Sequence, residues 1–220
     1  MKPATHKNAA DNSDNRPKSA KNPILPPNPS DEIHNPVGAN LGIIIETYTR
    51  PANREILHLN YGIATTPFGN ALLSWCNRGI CSLTFCDTEP DKQLQKLSLK
   101  WPAATLNHKP EPAAKLAEKI FQPTRTNSTL VLLLQGTDFQ INIWRALLHT
   151  QTGQTISYSQ LAQMAGAPKA QRAVGSAMAA NPIVYLVPCH RVIKKNGALG
   201  NYGGGIRRKR NILEWESKQR

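Results

Sequence analysis

The chain of 220 residues is poor in several residue types, and each shortage excludes a class of protein. Four cysteines are too few for a disulfide scaffold, so a reducing intracellular compartment is expected. No apolar run approaches the roughly 20 residues that a membrane-spanning helix needs. The polar segment after Met1 lacks an apolar h-region, so no secretory signal is expected. Acidic residues are also scarce, with 14 Asp and Glu against 27 Lys and Arg.

The resulting positive charge lies mainly in the last part of the chain. Residues 136–220 hold 12 Lys and Arg against 3 Asp and Glu, whereas residues 41–135 hold 10 against 7. Such an asymmetry favours a polyanionic partner, nucleic acid before membrane. A basic surface that is merely solvated remains an alternative at this point.

Composition and periodicity divide the chain into three segments. Residues 1–40 are rich in Pro, Asn, Lys and Ser and have almost no apolar periodicity, which predicts a disordered tail. Residues 41–135 predict a small α+β domain of short strands with one helix. Its elements are a β-hairpin that turns at Asn77-Arg78-Gly79, a helix over residues 112–121 and a buried strand over residues 129–134.

The third segment, residues 136–220, predicts a mostly helical domain. Ser157 is the expected N-cap of a helix in which Leu161 and Met164 face inward. A Gly-containing turn follows, and Pro168 suits the first position of the next helix. Helix, tight turn and helix together favour a helix-turn-helix motif, although two packed helices of any small domain give the same pattern.

The second of those helices carries very small side chains. Residues 173–180 read Ala-Val-Gly-Ser-Ala-Met-Ala-Ala and lack the Arg, Asn, Gln or Glu that would read base edges in a major groove. A smooth surface suits close approach to a minor groove or to a backbone, with Lys169 and Arg172 supplying charge at the start of the helix. Tight packing against another helix explains the same residues equally well.

A cysteine with a basic neighbour is the first candidate for chemistry. Residues 183–187 form an apolar run, which predicts a buried extended segment, and the run ends in Pro188-Cys189-His190-Arg191. A thiol becomes a strong nucleophile only as thiolate, which needs a nearby base or positive field. An inert buried cysteine beside a surface histidine is the alternative reading of these residues alone.

The last helix, beginning at Ile206, supplies a partner for that histidine. On a helical wheel one half is apolar, formed by Ile206, Ile212, Leu213 and Trp215. Glu216 falls near the middle of that apolar arc, where a carboxylate needs a partner such as His190. Cys189, His190 and Glu216 are therefore a candidate nucleophile, base and orienting acid, unless the helix frays and Glu216 points into water.

Five short motifs then occur in a recognisable order. They are residues 156–162 (Ile-Ser-Tyr-Ser-Gln-Leu-Ala), residues 168–175 (Pro-Lys-Ala-Gln-Arg-Ala-Val-Gly), Asn181-Pro182, Pro188-Cys189-His190-Arg191-Val192 and Asn201-Tyr202-Gly203-Gly204. With these motifs the chain strongly resembles the O6-alkylguanine-DNA alkyltransferases, or methylated-DNA–protein-cysteine methyltransferases. The similarity is dense over residues 136–216 and fainter over residues 61–134.

The resemblance implies a fold and a function. The fold is α/β: a small ribonuclease-H-like α+β domain followed by a mostly helical DNA-binding and catalytic domain with a helix-turn-helix. The function is DNA repair by direct reversal, in which the alkyl group of O6-methylguanine, and also of O4-methylthymine, moves irreversibly to Cys189. A non-catalytic lesion-binding protein of the same fold is the alternative, but relatives of that kind lack the acceptor cysteine.

The resemblance also assigns roles to the catalytic residues. Cys189 accepts the alkyl group, His190 deprotonates it through a bridging water, and Glu216 holds His190 in the required tautomer. Asn181 braces the turn that presents Cys189. Tyr158 rotates the target nucleotide out of the duplex and donates a proton or hydrogen bond to the departing guanine.

The remaining assignments concern the extruded base and the DNA. Arg172 would fill the gap in the base stack. Substrate-binding positions besides Tyr158 are Met178, Val192, Tyr202 and Gly203, and further DNA-binding positions are Gln160, Lys169, Ala170 and Gly175. The expected partner is double-stranded DNA, bound through the minor groove by a monomer with little regard to sequence, and no membrane is involved. We expect a cytoplasmic, nucleoid-associated protein, or a nuclear one in a eukaryote.

No cofactor and no metal are expected. Some family members bind a structural zinc ion near positions that correspond to His58, Cys76 and Cys81. The two cysteines flank the hairpin turn, which is sterically compatible with shared ligation, but the sequence offers no convincing fourth ligand.

Overall fold

The computed structural model describes residues 33–34, 41–49, 56–121 and 128–219. The predicted tail, residues 1–40, lies outside the described residues except for a two-residue strand. The strands are β1 (Ile33–His34), β2 (Leu41–Thr47), β3 (His58–Thr66), β4 (Gly69–Cys76), β5 (Gly79–Phe85), β6 (Thr105–His108), β7 (Ser128–Leu134), β8 (Ile156–Ser157) and β9 (Val192–Ile193). The helices are α1 (Pro90–Lys100), α2 (Pro110–Phe121), α3 (Asp138–Leu148), α4 (Tyr158–Met164), α5 (Gln171–Ala179) and α6 (Ile206–Ser217).

The protein has a mixed α/β fold, as predicted, built on a seven-stranded sheet of order β1-β2-β7-β5-β4-β3-β6. β3, β4 and β5 form an antiparallel meander, whereas β2 and β7 pair in parallel. The predicted hairpin is β4–β5. Its Gly79 has a φ of +140°, and a Cβ at that position would lie 2.6 Å from the carbonyl oxygen of Val131, so only glycine fits the turn.

The first half of the chain contains a helix that the pattern did not predict. Besides α2, which begins two residues before the predicted start, α1 covers Pro90–Lys100. Leu97 and Trp101 are buried, and Leu94 packs beside them, at a spacing that one helical face repeats. The expectation of a single helix was wrong because the residues of α1 between its leucines are polar and Leu99, off that face, is 74% exposed.

The helix caps of the second half follow the sequence closely. Ser157 caps α4 in a reciprocal capping box with Gln160. Leu161 is buried as predicted, but Met164 is 37% exposed, so its inward assignment was wrong. Met164 is the last residue of a helix of only two turns, and the core contact is made by Leu161 and its neighbour Ala162.

The start of α5 also differs from the prediction. The helix begins at Gln171 and not at Pro168. The N–H of Ala170 donates to the carbonyl oxygen of Ala167 at 2.9 Å, so Pro168 occupies the second position of a tight turn, where its fixed φ is equally suitable. The helix-turn-helix therefore has a longer connection between α4 and α5 than the sequence suggested.

One apolar core joins the two predicted segments, residues 41–135 and 136–220. Buried side chains of the sheet, such as Ile43 and Leu132, belong to the same cluster as Trp144, Val174 and Ile212 of the helical part. The indole N–H of Trp144 donates to the carbonyl of Ala177 at 2.9 Å and ties α3 to α5. None of the helices in the described ranges is long and apolar enough to cross a membrane.

Candidate active site

The segment before Cys189 is buried, but it is not the extended strand that its apolar run predicted. The N–H of Leu83 in β5 donates to the carbonyl of Pro182 at 3.0 Å, and the N–H of Val184 donates to the carbonyl of Leu83 at 2.9 Å; the chain then turns. At the turn Tyr185 has a φ of 74°, a left-handed conformation that is uncommon for a side chain of its size. The N–H of Val187 closes the turn on the carbonyl of Ile183 at 2.9 Å. The prediction of an extended segment failed because a run of apolar residues indicates that the segment is buried but not whether its backbone is extended or turns.

Asn181 joins both ends of this turn to the thiol. Its Oδ1 accepts from the N–H of Ile183 at 3.0 Å, and its Nδ2 donates to the carbonyl of Val187 at 2.8 Å. The same amide group lies 3.3 Å from the Sγ of Cys189, to which it donates a hydrogen bond. Asn181 therefore fixes the loop and stabilises negative charge on the sulfur.

Cys189 begins a single turn of 3₁₀ helix, Cys189–Arg191, and is only 7% exposed. Burial raises the pKa of its thiol, while the Asn181 hydrogen bond and the charge of Lys209 act in the opposite direction. The thiol is therefore protonated at rest, and it needs a base at the moment of reaction.

His190 is completely buried beside that thiol, and its Nε2 lies 2.9 Å from Oε1 of Glu216. Burial lowers the pKa of His190, although Glu216 opposes the shift, so the imidazole is neutral at physiological pH. The carboxylate assigns the proton to Nε2, which leaves Nδ1 as an acceptor. Among the described residues Nδ1 has no hydrogen-bond partner. The ring is thus held in the tautomer that can take a proton.

Glu216 is the centre of a buried charge network. Arg191 donates from Nε to both carboxylate oxygens at 3.1 Å and from Nη2 to Oε1 at 2.8 Å, and the N–H of Gly153 donates to Oε2 at 3.1 Å. Burial alone would raise the pKa of Glu216, but the hydrogen bonds and charges of its partners lower it to about 2. Arg191 also donates to Thr150 just beyond the end of α3.

The helical wheel of α6 was right about Glu216 and wrong about Ile206. Glu216 is fully buried, whereas Ile206 is 53% exposed, because the first turn of α6 projects beyond the core. Sequence reasoning missed the buried Lys209, which lies two turns before Glu216 on the same face. Its Nζ donates to the carbonyls of Val192 and Leu199, and burial lowers its pKa to about 8.

A cavity of about 260 Å³ opens beside Cys189. Of the predicted base-binding residues, Met178 and Gly203 line it. Val192 is fully buried and Tyr202 half-buried, and neither lines the cavity, so the structure does not bring these two to its surface.

Tyr158, at the first position of α4, lies close enough to Cys189 for the thiol to affect its pKa. Burial raises the pKa of Tyr158, and the negative charge of the Cys189 thiolate, when it forms, raises it further. A Cβ at Gly200 would lie 3.3 Å from the Tyr158 hydroxyl, so the glycine leaves room for it. A neutral hydroxyl near the thiol is suited to donating a hydrogen bond.

Arg208 connects the cavity wall to the sheet. Its guanidinium donates to the carbonyl oxygen of Phe68 at 2.6 Å, to the carbonyl of Gly204 and to the carboxylate of Asp87, and it lies over the Phe85 ring. Phe85 and Gly204 both line the cavity, so Arg208 of α6 holds together parts of the wall that come from both halves of the chain. The motifs of the second half did not indicate this contribution from the first half.

The predicted DNA-binding residues lie around the helix-turn-helix. Arg172 is exposed in the first turn of α5, Lys169 is exposed before it, and Ala170 is its N-cap residue. Gly175 is half-buried on α5, where a Cβ would lie 3.8 Å from the ring of Tyr158. Gln160 is exposed, but its side-chain oxygen is engaged in the cap of α4.

The cysteines around the hairpin form a pair and not a larger cluster. Cys76 and Cys81 are buried with their sulfur atoms 3.8 Å apart, and their mutual hydrogen bond lowers the pKa of Cys76 to about 6. His58 lies at the exposed start of β3. In the described part of the chain no three His, Cys, Asp or Glu side chains are grouped as metal ligands.

The buried network predicts loss of stability in acid. The folded state keeps His190 neutral below its ordinary pKa of 6.5 and keeps Glu216 ionised down to about pH 2 instead of 4.5, so the unfolded chain binds more protons throughout this range. Stability is therefore fully present above pH 6.5 and falls as the pH decreases, by up to about 1.4 kcal/mol per pH unit for each group. Urea unfolding at neutral pH and at about pH 5 measures this loss of unfolding free energy. Equal free energies at the two pH values would contradict the assigned protonation states.

Comparisons with known proteins agree on one family. Residues 138–218 match the family described as 6-O-methylguanine DNA methyltransferase, DNA binding domain. The methylated-DNA–protein-cysteine methyltransferase of Rattus norvegicus is 35% identical over 177 residues, which cover 73% of this chain and 81% of that protein. That of Mycobacterium bovis is 52% identical over 94 residues, 43% of this chain and 57% of that protein.

Longer relatives and solved structures complete the comparison. The bifunctional transcriptional activator/DNA repair enzyme Ada of Escherichia coli is 36% identical over 172 residues; this chain spans about half of it, 47%. The crystal structure of Mycobacterium tuberculosis O6-methylguanine methyltransferase has a TM-score of 0.61 at 34% identity, covering 74% of this chain and 94% of that one. The structure of Mycobacterium tuberculosis OGT in complex with DNA has a TM-score of 0.58 at 35% identity and the same coverage.

Proposed function

Because the chain belongs to the methylated-DNA–protein-cysteine methyltransferase family, we propose that it repairs DNA by direct reversal of alkylation. It transfers the methyl group of O6-methylguanine, and also of O4-methylthymine, to the Sγ of Cys189. The observation that carries the proposal is the linked arrangement of Asn181, Cys189, His190 and Glu216 beside an accessible cavity. Two buried hydrogen-bonded pairs, Asn181–Cys189 and His190–Glu216, meet at the Cys189–His190 peptide bond, and they support the assignment of a nucleophile, a base and an orienting acid.

The reaction begins with removal of the thiol proton. Nδ1 of His190 takes that proton through a water molecule, while Nε2–H stays hydrogen bonded to Glu216. The Asn181 amide stabilises the thiolate as it forms. The sulfur then attacks the methyl carbon, a carbon–sulfur bond forms, and the bond between that carbon and O6 of guanine breaks. Tyr158 donates a hydrogen bond or its proton to the departing base.

The product explains why each molecule acts once. A thioether has no charge and no acidic proton, and guanine is a far better leaving group than the thiolate that a second transfer would have to release. Cys189 is therefore consumed, and the proposed transfer needs only the side chains of the protein and one water molecule.

Access to the lesion requires extrusion of the nucleotide. The methyl carbon lies inside the base stack, whereas Cys189 is only 7% exposed at the cavity, so the base must leave the duplex at a cost of a few kcal/mol. The small side chains of α5 lie in the minor groove, and Arg172 occupies the gap. Such contacts read little sequence, so the protein would bind any duplex. We propose that it does so as a monomer, in the cytoplasm at the nucleoid or in the nucleus of a eukaryote.

Stoichiometry tests the proposed function. A duplex with one O6-methylguanine is mixed with the protein at a series of molar ratios below and above equivalence, and the remaining lesion is quantified after hydrolysis. Lesion loss should rise to one equivalent per chain and stop. A non-catalytic lesion-binding protein would leave the lesion unchanged, and continued turnover beyond one equivalent would exclude irreversible transfer.

A further inference from the structure

The cavity beside Cys189 has a wall that the family motifs do not include. Lys96 and Lys100 of α1 line it together with Gln93, although all three belong to the half of the chain that precedes Gly136. The two lysines are four residues apart, one turn and about 6 Å along the helix, so both project from the same face. The reactive cysteine and two cations of another element thus share one opening.

These two lysines lack compensating acids. Lys92, one turn earlier on α1, is paired with Glu89 at 3.1 Å, but neither Lys96 nor Lys100 forms a salt bridge with a described carboxylate. No Asp or Glu is among the described residues that line the cavity. Lys100 is half-buried, and burial lowers its pKa because its ammonium is partly removed from water. A bound anion would offset this desolvation cost.

The position of α1 relative to α5 indicates where such an anion would come from. Ala179 and Ala180, at the end of α5, line the same cavity as the two lysines. The Lys100 ammonium lies 5.8 Å from the ring centre of Trp144, and Trp144 is hydrogen bonded to α5. Arg172 is at the opposite end of this nine-residue helix, about 10 Å away along its axis.

We propose that Lys96 and Lys100 bind phosphate groups of the strand from which the target nucleotide is extruded. This inference rests on the proposed function. A base that enters the cavity along α5 brings its own phosphodiester linkages close to the wall that contains both lysines. Their ammonium groups act as point charges on phosphate oxygens, and they extend the DNA-binding surface from the helix-turn-helix to α1.

Salt dependence tests this assignment in the full chain. Binding of the Lys96→Gln/Lys100→Gln variant to a duplex with one O6-methylguanine is measured between about 50 and about 200 mM salt, with Cys189→Ala in every protein compared so that no transfer occurs; over this range phosphate contacts change affinity by orders of magnitude. The magnitude of the slope of log K against log salt should decrease by about 2, because each phosphate contact contributes about 0.9. The matched control is Lys115→Gln/Lys119→Gln, an exposed pair with the same spacing on α2 that does not line the cavity, and its slope should equal that of the wild type.

Transfer rates separate this inference from the proposed function. Relative to the wild type, the Lys96→Gln/Lys100→Gln variant should lose more activity on lesion duplex than on free O6-benzylguanine, which has no phosphate. A slope like that of the control pair, or equal losses on both substrates, would overturn the assignment of the lysines. A wild-type protein that transfers no alkyl group would instead overturn the proposed function. The salt slopes would still test whether Lys96 and Lys100 contact phosphate groups.

Discussion

Replacement of Glu216 by alanine is expected to reduce the free energy of unfolding by about 3 to 5 kcal/mol. The substitution removes the acceptor of the Arg191 guanidinium, the Nε2–H of His190 and the N–H of Gly153, all inside the protein. Arg191 is fully buried and would be left as an uncompensated charge beside Thr150. Urea unfolding of both proteins at neutral pH measures the difference.

Glu214→Ala is the matched control for this substitution. Glu214 is an exposed residue of the same helix, and its side chain takes no part in the network, so the change should stay within about 0.5 kcal/mol. A loss below about 1 kcal/mol for Glu216→Ala would show that Arg191 and His190 find other acceptors, and it would contradict the central place given to this carboxylate.

Replacement of Arg172 by alanine is expected to slow repair of O6-methylguanine in duplex DNA by about 100-fold, since the lost stacking support corresponds to a few kcal/mol. The side chain is exposed at the start of α5, where it can enter the base stack. Transfer from free O6-benzylguanine, which needs no extrusion, should change far less. Single-turnover rates on both substrates provide the measurement.

Lys115→Ala removes an equally exposed positive charge from α2 and controls for the change in net charge. Its rates should match those of the wild type on both substrates. If Arg172→Ala slowed both reactions equally, the arginine would be acting on the chemistry at Cys189 or on the fold, and its role in extrusion would be wrong.

The candidate site could be predicted in outline because its elements leave local signals. The dipeptide of Cys189 and His190 follows an apolar segment, and Glu216 interrupts the apolar face of the last helix. Both observations need only neighbouring residues or one helical period. The N-cap of α4 at Ser157 is local in the same sense, and the structure confirms it.

The parts that were missed depend on contacts between distant segments. Arg191 is held by hydrogen bonds to Thr150, which lies 41 residues earlier in the chain. Lys209 is held by hydrogen bonds to the carbonyls of Val192 and Leu199, which follow Cys189. The turn at Tyr185 is closed by the Val187 N–H on the Ile183 carbonyl and by the Asn181 side chain, and no pattern within the apolar run itself indicates these bonds. The contribution of α1 to the cavity could not be predicted, because the polar residues of this helix do not indicate which part of the protein they face.

The most direct test of alkyl transfer to this protein is the mass of the peptide that contains Cys189. The protein is incubated with a stoichiometric amount of O6-methylguanine duplex, digested and analysed beside a Cys189→Ala variant. We predict that this peptide, and no peptide with Cys76, Cys81 or Cys86, gains the mass of one CH₂ group as the lesion disappears. An unmodified Cys189 in folded protein, or a methyl group on another residue, would contradict the role given to this cysteine.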